Sequence, residues 1–252
     1  MKTVPDWDKL SADELLALID KERLPRHVAV IMDGNRRWAK QKHMPAMFGH
    51  NEGVKAFRRI VEACHDLGVQ HLTAYAFSAE NWHRSSLEVN GLMRLFEFYV
   101  QNERESMMKN GIRFQSLGRV DLLPEGVRRE FRKTEEITAA NSDMTLHLAV
   151  NYGGRAEIAE AARALALRVQ KRELNPDDID EDVVAQSLWT ADCPDPDLLI
   201  RTSGELRISN FLLWQMAYTE FWFTDVLWPE LTEYHFYRAV LEYQHRERRK
   251  GT

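Results

Sequence analysis

Val28, Ala29, Val30, Ile31 and Met32 follow one another without a polar break. A short apolar run of that length predicts a strand buried on both faces of a parallel sheet. Residues 72–77, LTAYAF, predict a second strand, being short and rich in Thr, Tyr and Phe. Further strands are expected at 112–117, 144–150, 198–200 and 220–223. Helices are expected between and after them at 52–67, 87–109, 124–140, 156–171 and 234–249, with shorter helical stretches at 38–42, before Pro45, and 177–188. Residues 211–218 read as a buried helix or an irregular core segment. Alternating strands and helices imply an α/β fold, a single domain with a central, mostly parallel six-stranded sheet covered by helices on both faces.

Ser11 and Glu14 are spaced as a capping box ahead of an amphipathic helix at 11–22 with Leu15, Leu16, Leu18 and Ile19 on its apolar face. Its polar face is mostly acidic, whereas interfacial membrane helices carry Lys and Arg there, so it is expected to pack on the domain. Residues 1–23 are thus an N-terminal extension and 24–252 the main domain. A chain of 252 residues suffices for one sizeable α/β core. The net charge of −5 argues against a general nucleic-acid binder. Cys64 and Cys193 belong to no CxxC or Cys/His spacing, which indicates neither a disulfide framework nor zinc and suits a reducing cytoplasm. No run approaches the roughly 18 apolar residues of a membrane span.

The first apolar run stops at Asp33. Gly34 and Asn35 supply turn chemistry, and Arg36, Arg37 and Trp38 begin a helix. A strand, tight loop and helix in that order aim free backbone N–H groups at one point, a setting that suits phosphate. A carboxylate there repels phosphate unless a cation lies between them. Mg²⁺ is the usual one, since it takes one or two carboxylates and fills its other positions with water and phosphate oxygens. The alternative is that Asp33 and Asn35 only form an Asx-turn and cap the helix.

In open parallel sheets ligands bind beyond the carboxyl ends of the strands. Here four such ends carry Asp33, Glu80 with Asn81, Asn151 with Arg155, and Arg201. The strings HVAVIMDGNRRWA, FGH at 48–50, AFSAENWHR at 76–84, NYGGR at 151–155, IRTSGELRISNFLLWQ at 200–215 and FTDVLWPE at 223–230 together resemble the cis-prenyltransferase family, in order from about residue 24 to residue 251. The resemblance implies Mg²⁺-dependent transfer of an allylic diphosphate, typically farnesyl diphosphate, onto successive isopentenyl diphosphates, each addition making a Z double bond. It further implies a homodimer and a product such as undecaprenyl diphosphate, the lipid carrier precursor for cell-wall polysaccharide. A cytoplasmic protein is expected, with peripheral contact at the inner face of the membrane for product release left open.

Breaking an allylic carbon–oxygen bond leaves charge on the departing diphosphate, so donors and a cation should surround that group. By resemblance, Gly34, Asn35, Arg36 and Arg37 hold the allylic diphosphate, with Trp38 and His50 beside them, and Asp33 carries the Mg²⁺. Arg201, Arg207 and Ser209 match the site for isopentenyl diphosphate, where arginine's planar fork suits phosphate oxygens; a salt-bridge cluster with Glu205 is the other reading. Glu220 matches an acidic residue that acts through the metal or by positioning arginine. Ser78, Glu80, Asn81, Trp82 and Arg84 match a loop that closes over the site and excludes water from the cation. Asn81 is assigned positioning, since an amide is a poor base, and the departing diphosphate is the more reasonable proton acceptor. Arg249 and Gly251 resemble an element that reaches across the dimer, with a solvated basic tail as the alternative. Asn151 and Arg155, with Gly153 and Gly154 between them, form another anion-facing turn, or Arg155 only braces the loop.

The growing isoprenoid needs an apolar tunnel, expected to be walled by Ala76, Leu92, Met93, Phe96, Ile112, Met144 and Leu146. Three positions depart from the family pattern. Ala46 stands where many members have an arginine, for which Arg36 is a substitute; Leu206 replaces a more usual polar residue; and Ser203 is an ordinary variant. DDIDED at 177–182 has the wrong spacing for a trans-prenyltransferase, and no P-loop string is present. The remaining alternative is a non-catalytic partner subunit of a heteromeric prenyltransferase. Such subunits lose the central aspartate and the substrate loop, and this chain has both.

Overall fold

The computed structural model describes residues 7–246, so Arg249 and Gly251 lie outside the described residues. Six strands form one sheet: β1 (His27–Ile31), β2 (His71–Ser78), β3 (Ile112–Leu117), β4 (Met144–Tyr152), β5 (Leu198–Arg201) and β6 (Glu220–Phe223). They lie in the order β3-β4-β2-β1-β5-β6, and every pairing is parallel. The sheet is therefore wholly parallel. Its two central strands, β1 and β2, are nearly continuous apolar runs because both of their faces are covered.

Side chains alternate across the sheet and divide the core in two. Val28, Val30, Leu72, Ala74, Leu146 and Leu148 face one layer, where they meet α3 (Ala46–Leu67), α4 (Ser86–Lys109), α5 (Glu125–Thr138) and α8 (Glu233–His245). Ala29, Ile31, Tyr75, Ala149 and Leu199 face the other, where Phe211, Leu212 and Met216 cover them. That covering segment is irregular; Leu212 has a φ of 42°. Next to it, Glu157 of α6 (Gly154–Gln170) accepts a hydrogen bond from Gln215 Nε2 at 3.0 Å.

Local chemistry adjusts several of the expected boundaries. Pro45 caps α3 rather than breaking a helix, because a missing N–H costs nothing at a helix start, so Phe48, Gly49 and His50 lie inside α3. The stretch at 177–188 splits into a 3-10 turn, Pro176–Asp178, and a short helix, Glu181–Ala185, whose N–H at Val183 is capped by Asp180. The N-terminal helix spans Ala12–Leu18 behind its Ser11–Glu14 box. Buried Leu15 and Ile19 hold this segment to the core, and Asp20 and Arg23 bond Gln244 at the end of α8. No helix among the described residues is long and apolar enough to cross a membrane.

Candidate active site

The chain leaves β1 through Asp33 and enters α2 (Asn35–Gln41) at Gly34, whose φ is 109°. A side chain there would be strained and would crowd Leu227. The other side of α2 is set by two glycines of α3. A Cβ at Gly49 would stand 2.0 Å from the Asn35 carbonyl oxygen, and one at Gly53 would stand 2.3 Å from Asn35 Oδ1. The bare backbone of α3 thus lets the first turn of α2 sit tightly against it. Helix geometry leaves the N–H groups of that first turn without intrahelical partners. With only seven residues, α2 has little macrodipole, and the positive charge here comes from side chains.

Those side chains gather around Asp33. Its Oδ2 accepts a hydrogen bond from Arg201 Nη2 at 2.9 Å, and its Oδ1 lies 3.8 Å from Arg37 Nη2. Arg201 ends β5, which pairs with β1 so that Ile31 faces Arg201. Its guanidinium also donates to Ser209 Oγ at 2.8 Å and to the Arg207 carbonyl. Arg37 donates to the Ser203 carbonyl at 2.8 Å and to Glu205 at 3.1 Å, and Arg207 pairs with Glu205. The arginine clamp and the Glu205 salt-bridge cluster are therefore one network. Ser203, Ser209 and Asn210 all have positive φ. This concentration of left-handed residues holds the 203–210 loop in the shape that presents Ser209 and the Arg207 carbonyl to Arg201.

A second group comes from α3 and α4. His50 Nε2 lies 3.2 Å from Glu88 Oε1, and Arg84 donates to the same oxygen at 3.0 Å. Burial pushes the His50 pKa below its ordinary value, only partly offset by Glu88. Burial pushes the Glu88 carboxyl up, but the bond to His50 and the charges of Arg84 and Arg36 outweigh it and leave the pKa low. Sequence reading missed Glu88; the one signal was its (i, i+4) spacing from Arg84.

One cavity of about 670 Å³ joins these groups. Asp33, Gly34, Asn35, Arg36, Arg37, His50, Ser78, Glu80, Asn81, Arg84, Arg201, Arg207 and Ser209 all contribute to its wall. Its interior is hydrocarbon: Val54, Phe57, Leu92, Leu95, Phe96 and Leu148 are among the lining residues. Of the expected tunnel residues Ala76, Leu92 and Phe96 line it. Met93, Ile112, Met144 and Leu146 do not, being packed in the helix-covered core instead.

The structure brings three expected residues elsewhere. Trp38 points away from the cavity and donates from Nε1 to Glu230 at 3.1 Å. Trp82 packs edge-on against Phe77 and donates to Asn151 Oδ1 at 2.8 Å, outside the cavity wall. Asn151 thus braces the loop, and Asn210 links Glu80 to the N–H of Arg155. Asn81 Oδ1 accepts the Ser78 N–H at 3.2 Å, which fixes the same turn. Glu220 lies further off. It pairs with Leu198 at the start of β6, three residues before the level of Arg201 and about 10 Å along the strand, and it bonds Arg246 at 2.8 Å. Within one chain the register thus sets it at the opposite end of β6 from the level of Arg201.

A sheet-end cleft with guanidinium groups around one carboxylate at its mouth, and hydrocarbon within, has the chemistry to suit an amphiphile with an anionic head. Comparisons with known proteins agree with that class and narrow it. Residues 31–251 match the prenyltransferase family described as "Putative undecaprenyl diphosphate synthase". An isoprenyl transferase of Heliobacterium mobile is 49% identical over 245 residues, covering 96% of this chain and 94% of that one. One of Geobacter sulfurreducens is 49% identical over 230 residues, covering 91% and 94%. Among solved structures, lavandulyl diphosphate synthase from Lavandula x intermedia, in complex with dimethylallyl diphosphate, superposes with a TM-score of 0.89 at 40% identity, covering 92% of this chain and all of that one. A "probable undecaprenyl diphosphate synthase" from Campylobacter jejuni gives 0.75 at 33% identity, covering 90% and 99%. The chain belongs to this prenyltransferase family.

Proposed function

We propose that the chain is a Mg²⁺-dependent cis-prenyltransferase. It condenses isopentenyl diphosphate onto an allylic diphosphate, farnesyl diphosphate by family resemblance, to make a Z-polyprenyl diphosphate such as undecaprenyl diphosphate. The observation that carries this reading is the continuity of one cavity from a mouth lined by Asp33, Arg36, Arg37, Arg84, Arg201 and Arg207 to an interior of Phe57, Leu92, Phe96 and Leu148. Its volume lies within the range typical of small-molecule sites. The Lavandula relative's complex with dimethylallyl diphosphate, itself an allylic diphosphate, supports the ligand class.

In the reaction the allylic carbon–oxygen bond breaks and the diphosphate departs with the electron pair. The alkene of isopentenyl diphosphate bonds to the allylic carbon, and a proton lost from the new cation restores a double bond, with the released diphosphate as the base at hand. Gly34, Asn35, Arg36 and Arg37 bind the allylic diphosphate through first-turn N–H groups and guanidinium forks. Arg201, Arg207 and Ser209 bind the second diphosphate. Arg36 and Ala46 share the wall of one surface depression, which supports Arg36 serving for the arginine absent at 46. The turn from Ser78 to Arg84, with His50 and Glu88 behind it, excludes water, and Asn81 holds that turn in shape. Asp33 fits Mg²⁺: its hard carboxylate oxygens border a cavity with room for phosphate oxygens, the donor set this ion prefers. When bound, the ion neutralises charge on the departing diphosphate. A homodimer, a cytoplasmic setting and peripheral membrane contact during product release belong to the same reading.

The test is incubation of purified protein with Mg²⁺, farnesyl diphosphate and labelled isopentenyl diphosphate, followed by sizing of the products. Label in a Z-polyprenyl series is expected. No incorporation from any C10, C15 or C20 starter would move the chain to the scaffold class instead, although Asp33 and the closing turn are both present.

A further inference from the structure

At the end of the sheet opposite the cleft, a second constellation is not explained by prenyl transfer. His27 opens β1 and His71 opens β2, and the two are paired in register; His147 of β4 is paired with Thr73 of β2. Alternation puts all three imidazoles on the face that carries Ala29, Tyr75 and Ala149. Cys193 approaches the same face from the segment before β5. One ligand atom from each of His71, His147 and Cys193 can be chosen so that all lie within 4.8 Å of one another, the one such grouping among the described residues.

The details favour a ligand over simple packing. His71 Nδ1 and His147 Nε2 share a hydrogen bond of 3.3 Å, with the rings nearly parallel at 18°, and a cation between them would take the place of the shared proton. Two imidazole nitrogens on one tetrahedral Zn²⁺ stand about 3.3 Å apart, given Zn–N distances of roughly 2.0–2.1 Å. His147 is 1% exposed, so the nitrogen it turns toward His71, Nε2, is held in place by the core around the ring. His27 is fully engaged in positioning. Its Nδ1 donates to the Pro194 carbonyl at 2.6 Å, and its Nε2 accepts from Thr73 Oγ1 at 2.7 Å, which fixes the backbone next to Cys193. A cavity of about 350 Å³, lined by His147, Cys193, Thr190 and Asp192, gives an entry path and room for a fourth ligand.

We propose that His71, His147 and Cys193 form a binding site for one Zn²⁺ ion, with the fourth position turned toward that cavity. Two imidazoles and a thiolate suit a borderline-soft cation and not Mg²⁺, so the site is separate in chemistry as well as in place from the cleft. Binding exchanges the thiol proton for the metal: the sulfur–hydrogen bond is given up, a zinc–sulfur bond forms, one proton goes to solvent and no electron is transferred. The ion joins β2, β4 and the loop into β5, and its effect is stabilisation of that end of the sheet.

The test uses the full chain, stripped with a chelator and exchanged into metal-free buffer. Zn²⁺ is titrated against a chromophoric competitor, and Co²⁺ serves as the spectroscopic probe. One equivalent of Zn²⁺ with submicromolar affinity is expected, together with a thiolate-to-Co²⁺ charge-transfer band and a raised melting temperature. Cys193→Ser, a near-isosteric change, should abolish the band and weaken Zn²⁺ binding by at least about a hundredfold, and His147→Gln should do likewise. Circular dichroism on each variant checks the fold, and Asp33→Asn should bind Zn²⁺ like the parent. Absence of uptake by the parent protein, Co²⁺ bound without a thiolate band, or unchanged affinity in folded Cys193→Ser would each overturn the proposal.

Discussion

Asp33 and Arg201 form an ion pair at 2.9 Å in which the two members are unequally wrapped: the arginine side chain is 3% exposed and the aspartate 34%. The guanidinium is thus a fixed part of the cleft floor, while the carboxylate keeps solvent-facing capacity for a cation and a phosphate. Asp33→Asn preserves shape and removes charge. Turnover should fall about 10²–10³-fold, the loss typical of one preorganised electrostatic group. Because Asp33 is partly hydrated, the folding cost should stay near 1–3 kcal/mol. Single-turnover rates and urea midpoints measure the two effects; a rate within tenfold of the parent would remove Asp33 from the chemistry.

The triad of His50, Glu88 and Arg84 predicts an acid-side signature. His50 is depressed below its ordinary 6.5, so the native state resists protonation while the unfolded chain takes up a proton. Stability from this site is therefore complete above about pH 6.5 and declines as pH falls below it. Glu88, depressed below 4.5, adds a further decline as pH falls through its folded value. A histidine NMR titration should place His50 below 6.5, and lower again in Glu88→Gln, which loses the partner that favours the charged ring. A midpoint above 6.5 would contradict the packing seen around this ring.

Two glycine substitutions should differ in size of effect. Helix propensity alone favours alanine over glycine by up to about 1 kcal/mol. At Gly49 the new methyl would meet the Asn35 carbonyl at 2.0 Å, which is backbone and cannot swing aside. Gly49→Ala should destabilise the protein by about 1–3 kcal/mol and raise the KM for the allylic substrate as α2 is displaced. At Gly91 the obstacle is the Met47 sulfur at 2.8 Å, the far part of a flexible side chain, so Gly91→Ala should be near neutral. Denaturant midpoints of the pair decide the matter.

Leu148 lines the apolar interior from β4. Leu148→Phe should reduce the volume available to hydrocarbon and shift the products toward shorter chains, with the KM for isopentenyl diphosphate little changed. Thin-layer or mass analysis of the products reads this directly. An unchanged product distribution from a folded variant would mean that the chain does not grow past this residue.

All six strands were legible because each is a short stretch that is either largely apolar or, as in β3, alternates apolar with polar residues, and Asp33 and Arg201 were legible because they sit at the ends of apolar runs. Local pattern carries no information on register, so the sequence could not tell that Glu220 begins a strand whose other end faces the cleft. The placing of Trp38 beside Glu230 was hidden for a similar reason, since the rotation of α2 decides which residues look inward. Glu88 and the grouping of His71, His147 and Cys193 were invisible in sequence because their partners arrive from distant segments. Met93 on α4 and Met144 at the start of β4 are apolar residues that prove to be ordinary core.

The charged rim of the cleft is carried mainly by turns at strand ends, whereas much of its greasy wall is carried by α3 and α4. The two sets of residues can therefore drift separately. Exchanging a few wall side chains could retune how much hydrocarbon is accommodated without disturbing how the head groups are gripped, so one scaffold could serve relatives whose products differ widely in size.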